Sequence, residues 1–202
     1  MSKTSKNTFR LVGLSLLSAL IIVLQVASTN IFNLSGGQIS ITFALVPIVI
    51  GAALYGVGAG AFLGAVFSMV VVVLSIMGIE KSGAFLLTIN PFLCVMLIML
   101  KGTLAGLAAG LMYKLLSKRN IILATFAAAV VSPLVNTFIF VFGLFFFFRE
   151  TFNQWSTNAG NNVFVYFFTF VIGLNFIIEL LTNIVLSPAI VKIVNAIKKN
   201  NS

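Results

Sequence analysis

Apolar residues run along this chain in long blocks separated by short polar or glycine-rich breaks, at about residues 11–29, 41–54, 57–77, 91–116, 121–148 and 163–194. An α-helix of about 20 residues crosses the roughly 30 Å hydrocarbon core of a bilayer, and most of the blocks reach that length. The second is shorter, carries Pro47 and runs into the uncharged, glycine-rich stretch Gly51–Gly60, which predicts a tight helical hairpin of blocks two and three. The pattern therefore predicts an all-α integral membrane protein: a six-transmembrane-helix bundle forming a single transmembrane domain over residues 1–202.

Composition agrees, with 60% hydrophobic residues, 7% charged residues and a mean hydropathy of +1.19, whereas about 25% of residues in soluble domains are charged. Little remains for a soluble domain, so any function belongs within or beside a cell membrane that the chain crosses several times. Polar Met1–Arg10 followed by Leu11–Ala27 shares features with a secretory signal. No small-residue cleavage pattern precedes the polar stretch Ser28–Ser40, and block one reads as a retained span.

Charge adds orientation. Most of the 12 basic residues fall in three clusters: Lys3, Lys6 and Arg10; Lys114, Lys118 and Arg119; and Lys192, Lys198 and Lys199. Six spans place all three on one side, which the positive-inside rule makes cytoplasmic, with both termini. The net charge of +9 is accounted for by this asymmetry and by attraction to anionic lipid, and gives no reason to invoke nucleic acid. The opposite side receives Asn30–Ser40, Gly78–Asn90 and Arg149–Asn162, rich in amides and hydroxyls. They read as solvated connectors or as lids donating polar groups to a solute, and Trp155 and the interleaved Phe residues favour packed lids.

Catalytic parts are missing. There is no histidine or aspartate, and Glu80, Glu150 and Glu179 lie far apart, so carboxylate metal sites, histidine bases and Ser-His-Asp triads lack their components. Cys94, the only cysteine, has no internal disulfide partner and reads as a small buried hydrophobe. No glycine-rich Lys-Ser/Thr loop offers nucleotide binding. The chain is not read as an enzyme, and no cofactor is expected.

Small residues recur every four positions at Gly56, Gly60 and Gly64 and again at Gly102, Gly106 and Gly110, with Ala105 and Ala109 beside them. Such seams let helices approach closely in lipid, which predicts packing within the bundle. A similar ridge of Gly13, Ser15, Ser18 and Ala19 lies on the terminal span, better placed to meet another protein.

Polar residues at depth carry the candidate chemistry. Lys101 interrupts the apolar run Pro91–Tyr113 near its middle, where an ammonium costs roughly 3 kcal/mol on insertion scales and must face protein, water or a ligand. At about 1.5 Å rise per residue, Asn136 and Glu179 fall within a turn of the same depth; Asn175 lies one turn outward of Glu179, and Thr182 and Asn183 one turn inward. Two readings are open: a buried Lys101–Glu179 ion pair, or a pocket floor where Lys101 meets a solute carboxylate and Asn136 and Asn175 bond its hydroxyls or amide. Thr88 and Asn90 stand before span four, and Tyr166, one turn into span six, is either a pocket residue or an interfacial anchor. Most of the 21 Phe residues, including Phe145–Phe148, are expected to face lipid or pack between helices.

The small-residue start of span one (GLSLLSAL, 13–20), the hairpin LVPIVIGAALYGVGAGAFLGA (45–65) and KGTLAGLAAGLMYK (101–114), with the length and topology, resemble the substrate-binding S components of energy-coupling factor (ECF) vitamin transporters. The resemblance implies a subunit that captures a vitamin from outside and delivers it by docking on a module of a transmembrane coupling protein and two ATPases, toppling in the membrane to turn its pocket inward. Small residues at i and i+4 of the first helix form the family's docking surface, matched here by Ser15, in place of the more usual alanine, and Ala19. Asn90–Phe92, the Lys-Gly-Thr-Leu-Ala-Gly motif and the Asn-bearing last spans are most similar to pantothenate-type members, whose solute would suit one lysine and several Asn and Thr side chains. A pyridoxine-like or pyrimidine solute stays open, as does a stand-alone secondary transporter with Lys101 and Glu179 as an ion relay, although no inverted repeat joins the two halves.

Overall fold

Side-chain caps and single glycines cut the apolar blocks into helices close to the breaks read from the sequence. The computed structural model describes residues 3–33, 42–158 and 175–201. They form α1 (Lys3–Asn33), α2 (Leu45–Tyr55), α3 (Val57–Ile76), α4 (Lys81–Ile89), α5 (Pro91–Leu116), α6 (Ile121–Phe147), α7 (Arg149–Asn158) and α8 (Asn175–Asn201), with no strand among the described residues. Asn90 Oδ1 accepts from the Leu93 N–H at 3.1 Å and Asn120 Oδ1 from the Ile122 N–H at 2.8 Å, starting α5 and α6. Pro91 follows at the first helical position of α5, where no N–H is needed. The predicted hairpin is present and its reversal is confined to Gly56, whose φ of +92° suits glycine.

Among the described residues, five helices are long and apolar enough to cross a membrane: Asn7–Asn30 within α1, α3, α5, α6 and Phe176–Ile197 within α8. Block 41–54 behaves differently. Its helix has 11 residues, about 16 Å at 1.5 Å each, too short to cross alone. Leu45–Ala53 are all buried, and α2 packs against α1, α3, α5, α6 and α8. A helix apolar on every side is stable when protein surrounds it, and α2 forms the bundle's axis.

Gly78–Asn90 and Arg149–Asn162, expected as connectors or lids, contain the short helices α4 and α7. Glu80, the N-cap of α4, satisfies a backbone donor that a loop would have given to water. Residues 34–41 and 159–174, covering most of the first expected lid and the start of block 163–194, lie outside the described residues.

The predicted seams meet one another. A Cβ on Gly60 or Gly106 would strike the other's backbone, Gly64 faces Gly102 in the same way, and a Cβ on Gly110 would stand 2.7 Å from Val57 Cα. These pairings run antiparallel and make α3–α5 the most extensive helix contact. At the same end, the Tyr55 side chain fills the space beside Gly13. The start of α1 and the end of α5, with their basic clusters, therefore lie at one end of the molecule. Phe138, Phe142 and Phe146 form an exposed ladder on α6, as expected for a lipid-facing stripe, while Phe148 is buried.

Candidate functional site

Lys101 follows from the seam beside it. Gly102 packs against Gly64, Phe67 and Ser68 of α3, which turns the neighbouring Lys101 toward α6. Its Nζ lies 4.6 Å from the centre of the Phe140 ring, a cation–π contact worth about 2 kcal/mol when desolvated. The charges of Glu80 and Glu179 both act on it, yet no carboxylate of the described residues comes within 4.0 Å of its Nζ.

Glu179 is instead held by neutral donors. Fully buried on α8, it accepts from the Thr42 N–H at 3.3 Å and from Asn136 Nδ2 at 3.4 Å. Thr42 Oγ1 donates to Gln25 Oε1 at 2.5 Å and accepts from the Ala44 N–H at 3.0 Å, while Gln25 Nε2 donates to Thr29 Oγ1 at 3.2 Å. One buried chain of hydrogen bonds thus ties α1, the start of α2, α6 and α8 together, where each member would be costly if unpaired. Asn183 Nδ2 donates to the Glu179 carbonyl at 2.8 Å.

Beside this chain lies a small, partly open cavity. Its polar lining includes Gln25, Thr42, Glu80, Lys101, Asn136 and Thr137, and Phe67 and Phe140 lie among its apolar walls. Asn136 Oδ1 and Thr137 Oγ1 are buried without a hydrogen-bond partner among the described residues, so the walls present acceptor capacity together with one ammonium. A polar solute can satisfy both kinds of group.

Of the residues singled out in the sequence, Lys101 and Asn136 line the cavity, and Glu179 stands behind the wall as the acceptor that holds Asn136. Asn90 caps α5, and exposed Thr88 donates to the Phe85 carbonyl at 2.7 Å; neither borders the cavity. Tyr166 lies outside the described residues, as does the side chain of Asn175, whose backbone opens α8. Ser15 and Ala19 are exposed on α1.

The family model for the ECF transporter, substrate-specific component, matches residues 9–191. The chain belongs to that family. No curated protein and no solved structure matches it. Membership makes it a multi-pass plasma-membrane protein and the substrate-binding subunit of a vitamin-type transporter, not an enzyme, working with an ECF module on a small-molecule substrate.

Sequence reasoning misses Gln25, Thr42, Glu80, Thr137 and Phe140 as lining residues. Gln25, Thr42 and Glu80 lie near predicted span ends, where polar residues are ordinary. A glutamine four residues before a threonine inside an apolar block is the available signal for the first.

Proposed function

We propose that this S component captures pantothenate in the cavity above Lys101 and delivers it inward by docking on a transmembrane coupling protein with two ATPases. The observation that carries the reading is the Lys101 ammonium: it lines the cavity with no carboxylate of the described residues in ion-pair reach, and the unpartnered acceptors of Asn136 and Thr137 belong to the same lining. Pantothenate offers a carboxylate for the ammonium and hydroxyl and amide donors for the acceptors. In this reading Asn175 and Tyr166 complete the site from α8 and the segment before it, Glu179 positions Asn136, and Thr88 and Asn90 serve the mouth of the site only through the helix ends they shape. Exposed Ser15 and Ala19 form the docking face.

We further propose the six-element topology with both termini cytoplasmic over one transmembrane domain, α2 being the short central element. The common end shared by Gly13, Tyr55, Val57 and Gly110 supports this, because it gathers two basic clusters on one side.

Glu80 in the same lining favours a second reading, a pyridoxine-like or pyrimidine solute whose donors meet a carboxylate. Calorimetry of the purified chain against a vitamin panel decides. Pantothenate is expected to bind, and Lys101→Ala is expected to weaken it at least about tenfold while altering its neutral amide analogue much less, as loss of a charged hydrogen bond predicts. Equal losses for acid and amide, or no binding of pantothenate, overturn the assignment.

A further inference from the structure

Glu80 is 3% exposed yet borders the cavity. Its Oε2 accepts from the Gly83 N–H at 2.5 Å and from Ser75 Oγ at 3.2 Å, which fixes the carboxylate between the end of α3 and the start of α4. Glu80 borders the cavity, and a carboxylate has about four lone-pair sites, so it can take a solute donor beside the partners that hold it. Its height is set by α5: Cys94 Sγ donates to the Gly83 carbonyl at 3.6 Å, so the Glu80 turn stands level with Cys94. Lys101 is seven residues further along α5, about 10 Å deeper at 1.5 Å per residue. Helical side chains lean toward the N-terminus of their helix, and that direction carries the ammonium up from Lys101 Cα toward Glu80. The cavity therefore has an ammonium near its floor and a rigidly held carboxylate higher on its wall.

We infer that Glu80 is a specificity-determining residue of the substrate site, accepting a hydrogen bond from a hydroxyl or N–H on the solute, outward of the acidic group held by Lys101. The inference rests on the cavity being the vitamin site. It deepens that assignment by requiring a bipolar solute: an acid at the inner end, a donor at the outer end, and a spacing of several ångströms between them. An acid without a distal donor forgoes the bond to Glu80 and is expected to bind more weakly.

Calorimetry with pantothenate and with an analogue lacking the hydroxyls of its outer half tests this on the purified chain. Glu80→Asp keeps a good N-cap but withdraws the carboxylate from the cavity, and Glu80→Gln keeps the length but removes the charge. Both are expected to bind pantothenate about tenfold or more weakly, with the deoxy analogue changed less than about threefold, as loss of one hydrogen bond to a charged acceptor predicts. The preference for acid over neutral amide, which reports Lys101, is expected to persist in both variants. Equal losses for the two ligands in Glu80→Asp, or no loss for pantothenate in either variant, would sink the inference and leave the Lys101 assignment standing. If the wild-type chain ignores pantothenate but binds another panel member, the same comparison is made with that solute and a version lacking its donor, and the same two outcomes decide.

Discussion

At the scale of single residues, the proposed site separates into groups offered to the solute and groups that hold them. Glu179 belongs to the second kind, because its two oxygens accept from the Thr42 backbone and the Asn136 amide in a fully buried position. Glu179→Leu removes both acceptors and strands two buried donors, so a destabilisation of about 2–4 kcal/mol is expected. Glu179→Gln keeps one of the two acceptor oxygens and loses the charge that acts on Lys101, and is expected to cost about 1–2 kcal/mol, less than the leucine variant. Thermal unfolding of the two variants in detergent measures the difference. Similar losses for both would point to the charge itself as the stabilising element.

At the scale of elements, the α3–α5 seam sets where Lys101 and the Glu80 turn stand. Gly64→Ala would press a methyl group into the Gly102 backbone, and backbone cannot step aside as a flexible side chain can. A loss of about 2–3 kcal/mol or more is expected, in the range of overpacked cores. Gly58 on the same helix has open space within 4 Å of where an added Cβ would stand, so Gly58→Ala is expected to be neutral or to stabilise by up to about 1 kcal/mol through helix propensity. Thermal melts of the pair separate crowding from propensity. The seam was legible because a four-residue repeat of glycine has few other uses in an apolar helix. The helical state of Lys81–Ile89 was not, since its cap lies at Glu80, inside a stretch that reads as a polar connector.

At the scale of the whole molecule, the proposed docking divides the exposed apolar surface between lipid and partner. On α1, Leu11, Val12, Leu16 and Val23 are all exposed alongside Ser15 and Ala19, so a flat small-residue patch sits within a lipid-facing stripe. Ala19→Trp fills that patch without touching the cavity. It is expected to abolish vitamin uptake into proteoliposomes containing the ATPase module while leaving calorimetric binding by the isolated chain unchanged within about twofold. Uptake that survives the substitution would move the docking face elsewhere, and uptake by the chain alone under an ion gradient would revive the secondary-transporter alternative.

The sequence by itself determined the solvent, the helical class and most helix ends, and it put Lys101, Asn136 and Glu179 forward as neighbours in depth. Apolar block length, cap residues and a rise of about 1.5 Å per residue are local quantities that need no knowledge of neighbours. Only the tertiary structure decided who touches whom at that depth. It set Lys101 on Phe140 instead of Glu179, gave Glu179 to Thr42 and Asn136, and brought Gln25 and Glu80 into the cavity wall. Helix rotation and the insertion of short α2 along the bundle axis fix those contacts, and both depend on packing between elements far apart in sequence.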